Sequence, residues 1–160
     1  MSVLVLCATG KMGFGVSRGL KDSGLDVFGT TRNKGGKAKL EKIGVKPIIA
    51  NYIVREDVDR ALRESGAKQL VFLTDYFLAA GSNARREEEQ GKMIIDAAKA
   101  ADVSFVVFLS VGDVDKFSPE VKHILAKAAV EKYLLTSGLK YSILRPVAFF
   151  EKYAYFTSPT

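Results

Sequence analysis

Short apolar runs alternate with amphipathic segments along almost the whole chain. Residues 2–8 open it as a strand, with Val3, Leu4, Val5 and Leu6 in succession. Residues 12–23 read as a helix closed by Gly24, where a left-handed cap is favoured. A second strand, 26–31, is rich in Val, Phe and Thr. A short basic helix, 35–43, ends at Gly44 and leads into a third strand, 45–50. Val58 and Leu62 lie four apart on one face of a helix over 55–64, which Gly66 closes. The fourth strand is 69–74. The longest helix, 83–101, carries a stripe of Met93, Ile94, Ala97, Ala98 and Ala101. Its acidic residues Glu87, Glu88 and Glu89 lie nearer the N-terminus, where the helix dipole favours them. Residues 104–110 are almost continuously apolar, as in a strand covered on both faces. A helix over 120–136 ends at Ser137-Gly138, and a sixth strand, 141–145, stops at Pro146.

Strands separated by helices pair in parallel through right-handed crossovers. The pattern therefore predicts an α/β Rossmann fold: a doubly wound parallel sheet of about six strands, order 3-2-1-4-5-6, with helices on both faces. Ligands of such sheets sit beyond the carboxyl ends of the strands near the first crossover. That places 10–15, 30–33, 74–77, 110–113 and 145–149 around one cleft.

Composition narrows this picture little. The 160 residues suit one domain, with no internal repeat, linker or low-complexity stretch. No apolar run approaches the roughly 20 residues of a membrane span, and no basic region precedes the first apolar run, so neither a membrane segment nor a signal peptide is expected. Cys7 is the only cysteine, which fits a reducing, cytoplasmic setting. One cysteine and one histidine supply too few ligands for a thiolate or imidazole metal site. A net charge of +6 suits an anionic partner. The basic residues are dispersed without interleaved aromatics, so they read as a solubilising surface and not as a nucleic-acid site.

The chemistry begins at the first turn. Cys7-Ala8-Thr9-Gly10-Lys11-Met12-Gly13-Phe14-Gly15 follows a strand and opens a helix. Such a turn converges backbone N–H groups on a phosphate, and the helix N-terminus adds partial positive charge. About 20 residues on, where NAD-binding domains place an acid for the ribose 2′-hydroxyl, the chain has Arg32, with Lys34 and Lys37 nearby. A guanidinium meets a 2′-phosphate with paired, charge-assisted hydrogen bonds, so the sequence favours NADP over NAD.

Further matches follow in order. Thr31-Arg32-Asn33, Thr74-Asp75-Tyr76-Phe77, Gln90-Gly91-Lys92, His123-Ile124-Leu125-Ala126-Lys127, Val130-Glu131-Lys132-Tyr133-Leu134 and Ser142-Ile143-Leu144-Arg145-Pro146 join the glycine turn. Together they resemble the NmrA-like family, an atypical branch of the short-chain dehydrogenases/reductases. The resemblance implies NADP(H) as cofactor, held by Thr9, Gly10, Lys11, Met12, Gly13, Thr31, Arg32, Lys37, Thr74, Tyr76 and Lys127. It also implies one of two occupations: an NADP(H)-responsive regulator with a protein partner, or a reductase of small carbonyl, quinone or phenylpropanoid substrates. The family continues into a smaller C-terminal domain, of which 147–160 reads as the start.

Two segments depart from the family pattern. Its leading glycine is Cys7, a residue that fits a tight turn at negative φ. Its Gly-Asp after the third strand is Asn51-Tyr52, beside the adenine. Its relatives among typical short-chain dehydrogenases use Tyr-x-x-x-Lys, with both side chains on one helical face; there the Tyr delivers a proton and the Lys holds the nicotinamide ribose. Here the pair is His123 and Lys127. These are the candidate catalytic residues, Lys127 for the ribose and His123 for the proton, with Ser110 a candidate to polarise a substrate. Tyr76 and Phe77 read as walls of the nicotinamide site. The missing Tyr favours a redox-sensing or regulatory dinucleotide-binding protein; the alternatives are an NADPH-dependent reductase and a module that has lost its cofactor. Cys7 admits two readings, an oxidisable thiolate at a helix N-terminus or a small buried residue ending a strand. Phe149, Phe150, Tyr153, Tyr155 and Phe156 make an aromatic segment suited to folding over the cleft or to a homodimer contact.

Overall fold

The computed structural model describes residues 1–114 and 121–147. The elements run β1 (Ser2–Val5), α1 (Lys11–Asp22), β2 (Asp26–Thr31), α2 (Lys34–Glu41), β3 (Lys46–Ile49), α3 (Arg55–Ser65), β4 (Gln69–Leu73), α4 (Ala84–Ala100), β5 (Phe105–Leu109), α5 (Lys122–Leu135) and β6 (Tyr141–Leu144). The six strands form one sheet in the order β3-β2-β1-β4-β5-β6, every pair parallel. Alternation along the strands sorts side chains to two faces. Leu4, Leu6, Leu70, Phe72, Val106 and Phe108 point into the larger core beneath α3, α4 and α5. Val3, Val5, Val71 and Leu109 point the other way, toward α1 and α2.

The elements lie where the hydrophobic pattern puts them, with small shifts at the ends. β1 is shorter than the apolar run because Cys7 takes φ +56° and turns the chain out of the strand. Gly24, Gly44, Gly66 and Gly138 all have positive φ, and each follows a helix. Glu120 and the aromatic segment from Phe149 to Phe156 lie outside the described residues. No helix among the described residues is long and apolar enough to cross a membrane.

One close contact fixes the geometry below the cleft. α4 and α5 pack at Gly91, where a Cβ would run into the isopropyl group of Val130. That approach brings Glu87, one turn before Gly91, within reach of Lys127, one turn before Val130 and Glu131.

Candidate functional site

The site grows from the turn between β1 and α1. Leu6 N–H still bonds the Val71 carbonyl (2.9 Å), and Cys7 then reverses the chain. The turn is tied to β2 by Cys7 N–H on Thr30 Oγ1 (3.0 Å) and Ala8 N–H on the Thr30 carbonyl (3.2 Å). Gly10 N–H closes it on the Cys7 carbonyl (3.1 Å). Gly13 is required, since a Cβ there would strike that same carbonyl. The negative φ that would suit a cysteine is not what the backbone adopts: Cys7 sits in the left-handed region, at a cost of roughly 1–2 kcal/mol for a residue with a Cβ.

Gly10 stands at the N-cap of α1 with no side chain capping the helix and no acidic residue in its first turn. α2 and α4 are finished differently. Asn33 Oδ1 accepts from Gly36 N–H (2.8 Å), and Asn83 Oδ1 accepts from Arg86 N–H (3.1 Å). The first amides of a helix need partners; α3 and α5 also lack a capping side chain, but at α1 the residues Gly10, Lys11 and Met12 line the cleft.

One end of the cleft is lined by Thr9, Gly10, Thr31, Arg32, Tyr52 and Asp75 among others. Arg32 is exposed on its rim. Lys37 is exposed and pairs with Glu41 along α2 (3.9 Å). It is Lys39 that reaches back to the turn, donating to the Thr9 carbonyl (3.2 Å) with its ammonium 4.2 Å from the Phe14 ring centroid. The Cys7 thiol packs against the core cluster that includes Tyr52. Burial pushes that thiol up, Tyr52 opposes the shift and the Asp75 carboxylate adds to it. The thiolate reading of Cys7 is therefore corrected: the site favours the neutral thiol. Burial likewise drives the Tyr52 phenol far above its ordinary range. Next to it, Asn51 N–H donates to Asp57 Oδ2 (2.7 Å), while Asn51 Oδ1 is buried without a partner.

The other end is lined by Lys11, Met12, Thr74, Tyr76, His123 and Lys127 among others. His123 packs its ring against Tyr76 (5.7 Å between centroids) and Phe77 (5.8 Å). Lys127 donates to the Thr74 carbonyl (2.9 Å), to Thr74 Oγ1 (2.9 Å) and to Glu87 Oε1 (2.7 Å). An ammonium has three donors, so all of them are engaged. Thr74 Oγ1 in turn donates to Glu87 Oε1 (2.6 Å). The Glu87 side chain is 0% exposed and that of Lys127 14%; Glu87 Oε2 is buried with no hydrogen-bond partner. A second buried carboxylate, Glu131, takes Arg145 in a two-pronged bond (3.1 and 2.6 Å) below the end of β6.

The structure thus gathers Thr9, Gly10, Lys11, Met12, Thr31, Arg32, Thr74, Tyr76, His123 and Lys127 along one cleft, with Gly13 packed beneath the turn. Lys37 is not among the lining residues. The Ser110 hydroxyl is buried with no partner, and Ser110 is absent from the cleft lining; neighbouring Gly112 and Asp113 border a separate depression near His123. Glu87 lies in the first turn of α4, as its place near the helix N-terminus implies, and the structure buries it fully. The signal was available, because Glu87, Gly91, Ile94 and Ala98 share one helical stripe, and a carboxylate on a buried stripe needs a cation. The roles of Lys39 and Tyr52 depend on contacts between distant segments that no local pattern announces.

Known proteins with these features are informative at the level of the whole domain. A photosystem II assembly factor, Ycf39, from Cyanophora paradoxa is 30% identical over 94% of this chain and 46% of its own length; its counterpart from Guillardia theta is 28% identical. The chain spans about half the length of these curated relatives. An Escherichia coli NADPH-dependent quinone oxidoreductase, solved with NADPH, superposes with a TM-score of 0.79 at 25% identity, covering 96% of this chain and 51% of its own. A Citrobacter triphenylmethane reductase solved with NADP(H) shares the fold, with a TM-score of 0.81 at 18% identity. The glycine turn, the arginine ending β2 and the His-Lys helix thus sit in a chain whose residues 1–160 match throughout, and the chain belongs to the NmrA-like family.

Proposed function

We propose that this chain binds NADP(H) along the cleft and serves as a dinucleotide-responsive regulatory protein. The observation that carries the binding claim is the uncapped N-terminus of α1 opening onto a cleft whose rim holds Arg32. The diphosphate would lie against the amides of Gly10, Lys11 and Met12. The 2′-phosphate would meet the Arg32 guanidinium, with Lys39 close by. Bound NADPH would carry a transferable hydride on its nicotinamide, which Tyr76, His123 and Lys127 would border. Titration with NADPH and NADH, followed by cofactor fluorescence, tests the reading: tighter binding of NADPH is expected, and no binding or a preference for NADH overturns it.

The regulatory half of the proposal rests on the end of the cleft where a reductase would do its chemistry. No Tyr precedes Lys127 by one turn, and the three Lys127 donors are committed within the protein. Among relatives, the naming of Ycf39 as an assembly factor is in keeping with work done through protein partners. A second reading, an NADPH-dependent reductase, draws on His123 and Lys127 lining the same cleft and on the oxidoreductase from Escherichia coli. Loss of NADPH absorbance with a panel of quinones and aldehydes separates the two: sustained turnover establishes the reductase, and its absence alongside NADPH binding supports the regulator.

A further inference from the structure

We infer that Glu87 is the positioning residue for the nicotinamide half of the dinucleotide, acting through Lys127. The inference rests on the NADP(H) reading above and assigns a role to a residue beneath the cleft, absent from its lining. The Lys127 ammonium has three donors and three protein acceptors, so it meets a ribose hydroxyl only by releasing one of them. The three are unequal. The bond to Glu87 Oε1 is the shortest (2.7 Å) and joins opposite charges away from solvent; those to the Thr74 carbonyl and hydroxyl (2.9 Å each) are charge-to-neutral. A ribose hydroxyl therefore displaces a Thr74 contact, and Lys127 pivots about the carboxylate. Glu87 is suited to be that fixed point. Its backbone is held in the first turn of α4 by the Asn83 carbonyl (Glu87 N–H, 3.1 Å), and Oε1 also accepts from Thr74 Oγ1. Thr74 directly follows the central strand β4, so the carboxylate, the hydroxyl and the ammonium are indexed to the sheet and to the α4–α5 contact at Gly91. Oε2, buried and unpartnered, gives the ammonium a second acceptor on the same carboxylate as it moves.

The test compares NADPH with 2′,5′-ADP, which carries the adenosine and 2′-phosphate without the nicotinamide ribose. In Glu87→Gln, NADPH binding should weaken by about tenfold, the equivalent of one charge-assisted bond, while 2′,5′-ADP binding stays within about twofold. Retained 2′,5′-ADP affinity also certifies the fold of the variant. Lys127→Met should weaken NADPH selectively, and adding Glu87→Gln to it should weaken NADPH no further, because the carboxylate acts only through the ammonium. Equal losses for both ligands in Glu87→Gln, a full additional loss in the double variant, or an unchanged NADPH affinity in Glu87→Gln each overturn the inference. If the unsubstituted chain binds 2′,5′-ADP and NADPH equally well, the inference fails and the NADP(H) reading stands; if it binds neither, both fail.

Discussion

Arg32 and Lys127 stand at opposite ends of one cleft and are held in opposite ways. Arg32 is exposed, at the end of an interior strand and on the rim of its pocket. Lys127 is mostly buried and satisfied by Glu87 and Thr74. The first has its charged end open to solvent, and the second is satisfied within the fold, so that a ligand would have to replace one of its acceptors. An exposed cation costs the folded state little and gains its partner on binding; a buried one must be compensated before any ligand arrives. Under the proposed reading, recognition of the phosphorylated adenosine and handling of the nicotinamide would be separable.

The largest effect that bears on this contrast is at Lys127. Lys127→Ala leaves the Glu87 carboxylate buried without its cation, a loss of about 3–5 kcal/mol. Thermal denaturation should fall by roughly 6–20 °C, at about 2–4 °C per kcal/mol for a chain of this size. A small shift would show that the pair is not compensating a buried charge. The same loss makes Lys127→Ala a poor probe of catalysis, since missing turnover would report instability as readily as chemistry.

Arg32→Ala should do the reverse. NADPH affinity falls by about 10–100-fold, matching the roughly 1.5–3 kcal/mol of hydrogen bonds to a charged group, with NADH affinity and melting temperature nearly unchanged. Equal losses for NADPH and NADH would remove the 2′-phosphate from the argument and with it the distinction between the two ends.

Cys7 lies at the junction, lining both ends. Cys7→Gly removes the left-handed strain and should raise stability by about 1 kcal/mol, offset in part by the lost packing of the thiol against the core. A lower melting temperature would mean that the packing of the thiol matters more than the backbone. The smallest effect is one of rate. The Cys7 pKa in the folded chain is raised above the ordinary value of 9.0. Its neutral form therefore contributes stability in full below the unfolded value, and that contribution is lost as pH rises through the folded one. Alkylation by iodoacetamide should be slow at neutral pH, accelerate only at higher pH than for a free thiol, and slow further with NADPH bound. Fast labelling at neutral pH would contradict the half-buried, neutral thiol.

How much of this was legible before folding differs between the ends of the cleft. The sheet order follows from the alternation of strand and helix, because parallel crossovers leave few topologies. Arg32 was legible because its place after β2 is set by a local count from the glycine turn. The turn's conformation was not, since φ at Cys7 is imposed by bonds to Thr30 from another strand. Lys37 and Lys39 are two residues apart on α2, and only packing on Phe14 and Thr9 distinguishes them. Lys127 was visible as a motif, whereas its saturation by Glu87 depends on helices 40 residues apart meeting at Gly91.

The pairing of β1 has a consequence for synthesis. Its neighbours are β2 on one side and β4 on the other, with Leu4 opposite both Phe28 and Leu70. Of these three strands β1 is made first, and its second partner follows about 65 residues later, roughly 3–13 seconds at about 5–20 residues per second. During that interval the most apolar strand of the nascent chain has one unpaired edge, the kind of surface that other chains can join. Folding yield should therefore be more sensitive to translation rate and chaperone supply between β2 and β4 than at any later point.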